Sequence, residues 1–224
     1  MSGKAYHNKK KKVDQVPHEE YPTPRSLVWE LIDQHPTLID SQDILEPCAG
    51  RDRAIVKALQ QKGYTPKFFD LNFGSPRQDF FEYNTKHDII ISNVPFSQWD
   101  EFVLHAKQVA RKVILIGRTN YYGTYKRDSN GVWDGLKHMC IFNRMCDYET
   151  PVRNDGHFHV GGLVTGWFVW ERGYTADWTG KRVDVQKYAT LGQVPREKCE
   201  RCGLAITTKG LCKSCKAVFM SCVS

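Results

Sequence analysis

Apolar residues along the chain recur at two spacings, which predicts strands that alternate with helices. Short β-branched or aromatic runs predict four strands, at residues 44–45, 67–70, 88–92 and 112–116. Apolar residues at helical spacing predict helices over residues 27–32, 55–59 and 102–110. We expect Ser26 or Thr23 to cap the first helix. This alternation favours an α/β fold with right-handed crossovers and a mostly parallel sheet that is covered on both faces.

The pattern changes beyond residue 136. Two apolar runs, at residues 140–142 and 163–170, have no obvious helix between them and predict an antiparallel hairpin at the edge of the sheet. The segment 121–133 is rich in Tyr, Gly, Lys and Arg and predicts a long surface loop. Residues 1–20 are polar and Lys-rich, which predicts a flexible arm. We therefore expect an arm at 1–20, an α/β domain at 21–190 and a small module at 195–224.

Composition and charge narrow the class of protein. Apolar residues make up 41% of the 224 positions, which is enough to bury a core and argues against wholesale disorder. No apolar run approaches the ~20 residues that span a bilayer, and the first residues lack the apolar segment of a signal peptide. We therefore expect a cytoplasmic protein. The net charge of +7 is concentrated at both ends, which favours nucleic acid as a partner, although solvated tails have the same composition.

Four of the eight cysteines lie close together near the C-terminus. They are Cys199, Cys202, Cys212 and Cys215. Two Cys-x-x-Cys pairs separated by nine residues offer four thiolates to a structural Zn²⁺, as in a zinc ribbon. Metal binding would supply the folding free energy of so short a segment. A redox pair is the alternative, but no thioredoxin-like context surrounds the cysteines. The Lys and Arg residues of this module favour contact with nucleic acid or with a protein partner.

Polar residues follow three of the predicted strands, at the edge where an open parallel sheet binds ligands. They are residues 46–50, Asp70 and residues 93–96. After the first strand, Gly50 permits a sharp turn, and the start of the next helix offers N–H groups to a carboxylate. After the third predicted strand, Asn93 offers an amide oxygen beside an aromatic residue. Three such signals on one edge predict a functional site there.

The motifs at this edge resemble a known family. Glu46-Pro47-Cys48-Ala49-Gly50 and Asn93-Val94-Pro95-Phe96, each after a strand, resemble class I S-adenosylmethionine-dependent amino-methyltransferases, and most of all the short adenine-N6 DNA methyltransferases of phages. Tyr21-Pro22-Thr23-Pro24 is similar to their aromatic-Thr-Pro element, and residues 166–171 are similar to their Trp-rich strand. The resemblance covers roughly residues 20 to 175. It implies a Rossmann-like class I methyltransferase fold, S-adenosylmethionine as cofactor, and the cytoplasm of a bacterium or a phage-infected cell.

The resemblance also implies a set of cofactor-binding residues. They are Tyr21, Thr23, Pro24, Glu46, Pro47, Ala49, Gly50, Asp52, Asp70, Asp79 and Phe80. In the family, the turn after the first strand holds the methionine part of the cofactor, the acid at Asp70 accepts hydrogen bonds from the ribose, and the Asp79-Phe80 pair contacts the adenine. The family usually has a second glycine where this chain has Asp52. Arg51 and Arg53 beside it could clamp a carboxylate.

The same resemblance assigns the tetrapeptide at residues 93–96 to catalysis. The Asn93 side chain and the Val94 carbonyl would accept from the N–H bonds of the target amine, which stabilises the positive charge that develops there. Phe96 would stack on a base that has been flipped out of the duplex. The family has proline where this chain has Val94, and Pro95 still restrains Val94 to an extended conformation. An RNA acceptor, or a binding module that has lost the chemistry, remains an alternative.

Nucleic-acid contacts are expected in the segment after the fourth predicted strand. The candidates are Arg118, Tyr121, Tyr122, Lys126 and Arg127. They combine cations with aromatic rings, as in sites that hold a single strand. A solvated loop is an equally good interpretation of the same composition.

Overall fold

A computed structural model of the chain describes residues 23–73, 76–142 and 164–183, together with the backbone of two short strands beyond them. Seven strands form one sheet in the order β2-β1-β3-β4-β6-β5-β7. They are β1 Ile44–Glu46, β2 Lys67–Phe68, β3 His87–Ser92, β4 Ala110–Arg118, β5 Leu136–Phe142, β6 Thr165–Glu171 and β7 Thr179–Val183. The helices are α1 Arg25–Gln34, α2 Ala54–Gln61, α3 Trp99–Val109 and α4 Tyr125–Ser129. Single 3₁₀ turns lie at Pro36–Leu38, Phe80–Glu82, Phe96–Gln98 and Thr119–Tyr121.

The first four strands are all parallel, as predicted. β1 pairs with β2 and with β3, and β3 pairs with β4. Consecutive isoleucines in β3 face opposite sides of the sheet, so that Ile89 and Ile91 pack in one core cluster while Ile90 packs in the other. Burial on both faces explains why β3 is an uninterrupted apolar run rather than an alternating one.

The predicted antiparallel hairpin is confirmed, and β6 lies inside the sheet between β4 and β5. It pairs antiparallel with both neighbours, from Arg118↔Thr165 to Lys112↔Glu171 along β4. A further strand that the sequence did not predict, β7, forms the edge and runs parallel to β5. The result is a mostly parallel α/β sheet with an antiparallel insertion, which is the Rossmann-like arrangement that the resemblance implies.

Two local predictions were wrong. Neither Thr23 nor Ser26 caps α1, because the capping position is Pro24 and no side chain accepts a hydrogen bond there. The segment 121–133 is also more than a surface loop. It contains the helix α4, and Tyr121 and Val132 are buried because Trp99, Phe168 and Trp170 form an aromatic core next to them.

The short strands β8 (Glu197–Lys198) and β9 (Ala205–Ile206) pair antiparallel with each other. The predicted arm, Tyr21 and the four candidate zinc ligands all lie outside the described residues. Within the described ranges, no group of three or more His, Cys, Asp or Glu could hold a metal ion. The described helices are also all too short or too polar to cross a bilayer.

Candidate active-site cleft

A cleft of about 190 Å³ opens at the edge of the sheet where β1 and β3 end. Its wall contains residues from every cofactor motif that the sequence predicts within the described ranges, together with part of the tetrapeptide. These predicted residues are Thr23, Pro47, Ala49, Gly50, Asp52, Asp70, Asp79, Phe80, Asn93 and Pro95. Residues that lie far apart in the sequence therefore meet at one opening, as expected when parallel strands end at the same edge.

The loop between β1 and α2 (residues 47–53) forms one wall of the cleft. Gly50 has a φ of 63°, a conformation that glycine adopts without strain. Two backbone hydrogen bonds fix the loop, because the Ala49 N–H donates to the Phe69 carbonyl and the Gly50 N–H donates to the Asp70 carboxylate. The turn therefore depends on residues that follow β2.

Asp70 accepts hydrogen bonds from three backbone N–H groups around this loop. One carboxylate oxygen accepts from Gly50 N at 2.9 Å, and the other accepts from Asn72 N at 2.7 Å and Phe73 N at 2.8 Å. A carboxylate has about four acceptor positions, so one remains for a ligand hydroxyl. The Asp70 carboxylate therefore has a structural role in the loop that the sequence did not reveal. Its predicted role, at a ribose, would use the remaining acceptor position.

Glu46 lies beneath the cleft and is not part of its wall. The side chain is fully buried, and its Oε1 accepts from Ser92 Oγ at 2.5 Å and from Cys48 N at 3.1 Å. Its Oε2 has no hydrogen-bond partner among the described residues. Burial raises the pKa of Glu46 to about 8. Glu46 thus links the end of β1 to Ser92, the residue that precedes Asn93. The sequence did not indicate that Ser92 has this role.

Arg51, Asp52 and Arg53 border the mouth of the cleft. Arg51 lies over the Phe73 ring at 5.0 Å, and Arg53 lies over Phe68 at 4.7 Å. Asp52 is exposed and lines the cleft. Arg53 comes directly before α2 and has a φ of 50°. Among the described residues, it is the only one other than glycine in the left-handed region. No side chain caps α2, so its first N–H groups lack a capping acceptor, and its first residues, Ala54 and Ile55, line the cleft.

The Asp79-Phe80 pair is divided between two roles. Asp79 accepts from Phe81 N at 2.9 Å and so begins a 3₁₀ turn. Phe80 is 3% exposed and stacks on Phe102 at 5.4 Å, which makes it mainly a core residue with an edge on the cleft. Phe81 is 37% exposed, also lines the cleft and offers more ring surface to a ligand.

The tetrapeptide continues directly from β3. Asn93 is half-buried and lines the cleft together with Pro95. The Val94 side chain is 3% exposed and packs in the core cluster that contains Leu45, Ile90 and Trp99. Burying a valine side chain stabilises its position by roughly 1.5–3 kcal/mol. Core packing therefore holds the backbone at Val94, where the family that the motif resembles has a proline ring.

The predicted nucleic-acid residues occupy different environments, and two of them contact Phe96. Arg118 lies 4.8 Å above the half-buried Phe96 ring, and Tyr121 meets that ring edge-on at 6.3 Å. Arg127 lies over Tyr121 at 4.1 Å and pairs with Asp100 at 2.6 Å. Tyr122 is 40% exposed, and its hydroxyl accepts from Trp178 Nε1. Lys126 is exposed. Arg118 and Tyr121 therefore contact Phe96 directly, whereas Arg127 is next to Tyr121.

Known proteins resemble this chain in structure but not detectably in sequence. No protein-family model matches it, and no curated protein matches it in sequence. Similar solved structures include a Pyrococcus horikoshii protein described as a candidate RNA methyltransferase, which is 16% identical with a TM-score of 0.45 over 71% of this chain and 90% of its own. TrmN from Thermus thermophilus is 16% identical with a TM-score of 0.42, over 66% of this chain and 51% of its own. An Archaeoglobus fulgidus protein described as a SAM-dependent methyltransferase is 10% identical with a TM-score of 0.43, over 67% and 95%.

Proposed function

We propose that this protein transfers a methyl group from S-adenosylmethionine to the N6 amine of adenine in DNA. The observation that carries the proposal is the shared cleft, because Asn93 and the loop after β1 line the same opening. A binding loop and an amide acceptor at one opening are what such a transfer requires, since donor and acceptor must meet there.

The residues of the cleft fit the chemical groups of this cofactor. The start of α2 offers uncapped N–H groups to a carboxylate, and Arg51 and Arg53 add positive charge at the same side. Asp70 retains an acceptor position for a hydroxyl, and the Phe81 ring provides a partly exposed face for an aromatic base. When bound, S-adenosylmethionine supplies a methyl group on a positively charged sulfur.

The chain's own contribution to the reaction is to hold and polarise the amine. The Asn93 side-chain oxygen and the Val94 carbonyl accept from the two amine N–H bonds, which stabilises positive charge on nitrogen. Such fixed acceptors act strongly in a site that excludes water, because they need no reorganisation during the reaction. Phe96 supplies the ring on which the base stacks. The amine then loses its proton to water, and no general base is required.

Labelled methyl transfer tests this function. The purified protein is incubated with S-adenosylmethionine that carries a tritiated methyl group, and with DNA, RNA of the same sequence, DNA without adenine, or protein. We expect label in adenine-containing DNA, and Asn93→Ala should reduce it by a factor of about 10²–10³ while S-adenosylmethionine binding persists. Label in RNA or protein alone would change the assigned acceptor. Binding of the cofactor without transfer to any acceptor would favour a catalytically inactive binding module.

The zinc ribbon is a further part of the proposal. Cys199, Cys202, Cys212 and Cys215 lie outside the described residues, and the argument for Zn²⁺ is their spacing. Elemental analysis of the purified protein should give about one zinc per chain, and Cys→Ser substitution at two of the four positions should abolish it. A protein partner of the ribbon remains a prediction as well.

A further inference from the structure

Arg118 is the last residue of β4 and lies beside Phe96, the residue proposed to stack on the target base. The guanidinium lies 4.8 Å from the centre of the Phe96 ring and 6.0 Å from that of Tyr121. Its Nε is buried and has no hydrogen-bond partner among the described residues. Burying an N–H donor without an acceptor costs about 1–3 kcal/mol, and more when the group is charged. An acceptor for this N–H group would therefore stabilise the position of Arg118.

Three other arginines in the described ranges have hydrogen-bond or ion-pair partners for their guanidinium groups. Arg127 pairs with Asp100 at 2.6 Å, and Arg111 pairs with Asp40 at 2.8 Å. Arg172 donates to three backbone carbonyls at the end of α3. Within the described part of the chain, no hydrogen bond or ion pair engages the Arg118 side chain. A guanidinium that stacks on a ring keeps its N–H groups in its own plane, where they can meet an anion side-on.

We propose that Arg118 binds a backbone phosphate of the nucleic acid next to the base that Phe96 stacks. This inference rests on the nucleic-acid substrate of the proposed function. It adds that the protein binds a backbone phosphate of that substrate. Phosphate oxygens match the planar fork of a guanidinium and provide the missing acceptors. The Phe96 ring beside Arg118 favours a nucleotide over an acidic peptide, because a base and its phosphate can use ring and cation together.

The test compares Arg118→Gln with Arg111→Gln. Both arginines belong to β4, but Arg111 lies near the opposite end of the strand, where Asp40 neutralises its guanidinium at 2.8 Å. Binding of a labelled single-stranded DNA of about 12 nucleotides is measured by fluorescence anisotropy over a range of salt concentrations. The slope of log K against log[salt] should fall by about 0.7 for each phosphate that the protein no longer neutralises.

We expect Arg118→Gln to lower this slope by about 0.7 and the affinity by on the order of tenfold. Arg111→Gln should leave the slope unchanged, and Arg118→Lys should retain the slope because it keeps the charge. Thermal unfolding checks that each variant is folded. Equal slopes for Arg118→Gln and the wild type would overturn the inference, as would an equal decrease in Arg111→Gln or no oligonucleotide binding by the wild type.

Methyl transfer, measured in parallel, separates the two proposals. Transfer to DNA that is accompanied by an unchanged salt slope in Arg118→Gln would refute the phosphate contact and leave the proposed function intact. A reduced slope without any transfer would support the phosphate contact and refute the enzyme.

Discussion

The two loops that meet at the cleft are held in place by opposite means. The loop after β1 depends on polar contacts, namely the Asp70 carboxylate, the Glu46 carboxylate and one backbone pair. The tetrapeptide after β3 is held by an apolar side chain, because Val94 is buried in the core. Each loop also carries one departure from the family pattern. Asp52 lies at an exposed point of the first loop, whereas Val94 lies at the most buried point of the second.

This difference shows that a departure from a motif must be judged by its surroundings. At an exposed position a new side chain can point away from the ligand, so Asp52 need not block the cleft. At a buried position the new side chain has to fit the core, and valine does so while keeping the backbone carbonyl. Five measurements would test the contrast, from the largest expected effect to the smallest.

Asp70→Ala should have the largest effect, because it leaves the N–H groups of Gly50, Asn72 and Phe73 without their acceptor. We expect a loss of about 3 kcal/mol in the free energy of unfolding, measured by urea denaturation, together with loss of S-adenosylmethionine binding. Asp70→Asn keeps the shape of the side chain, so its free energy of unfolding should lie between those of Asp70→Ala and the wild type. A loss below about 1 kcal/mol would show that the loop does not depend on this carboxylate.

Val94→Ala should cost about 2 kcal/mol in the same measurement, because it deletes two buried methyl groups. The backbone carbonyl persists, so methyl transfer should fall through poorer positioning while S-adenosylmethionine binding changes little. Val94→Thr is the matched control, since it keeps the shape and buries a hydroxyl. An unchanged stability in Val94→Ala would contradict the proposed anchoring by packing.

Glu46 gives the polar loop a dependence on pH. Its pKa is raised from 4.5 to about 8, because burial disfavours the charged form. A raised pKa means that the folded state keeps the proton longer than the unfolded state. The stabilisation is therefore complete below pH 4.5 and is lost as pH rises towards about 8, with a slope of up to about 1.4 kcal/mol per pH unit. Glu46→Gln should flatten this slope in urea titrations at several pH values. Parallel pH profiles for the two proteins would exclude Glu46 as the cause.

Arg53 tests the backbone of the same loop, because its φ of 50° is strained for a side chain. Arg53→Gly and Arg53→Ala both remove the contact with Phe68, but only glycine also removes the strain. We expect the glycine variant to be more stable than the alanine variant by about 1 kcal/mol in thermal unfolding. The reverse order would show that the left-handed conformation is not present in solution.

Asp52→Gly should have the smallest effect, because Asp52 is exposed. We expect the free energy of unfolding to change by less than about 0.5 kcal/mol. The Kd for S-adenosylmethionine, measured by calorimetry, should change by less than about threefold. A gain in affinity of about tenfold or more would mean that this side chain does obstruct the cleft.

The sequence predicted the parts of the fold that have a strong apolar signal. The isoleucine run in β3 and the helical spacing in α3 identified those elements correctly. β7 has the sequence Thr-Gly-Lys-Arg-Val and is mostly exposed, so no apolar pattern reveals it, and it depends on backbone pairing with β5. The burial of Tyr121 and Val132 depends on aromatic residues far along the chain, which local composition does not reveal.

In the candidate site, too, some features follow from local sequence and others depend on the folded chain. Polar residues at strand ends predicted where the cleft lies, because the parallel topology brings such ends together. The three N–H groups bound by Asp70 depend on the path of the loop after β2, which no motif encodes. The contact between Glu46 and Ser92 likewise joins two strands whose pairing appears only in the folded sheet.

The position of β6 between β4 and β5 affects how the chain is made on the ribosome. β4 is complete at Arg118, but the strand that covers its free side begins only at Thr165. Until that later segment emerges, the main-chain groups along one side of a strand that is mostly buried in the folded protein have no native pair. Such an edge invites association with neighbouring chains. Newly synthesised protein should therefore be most prone to aggregate during this interval, and slower elongation between the two strands should lower its yield.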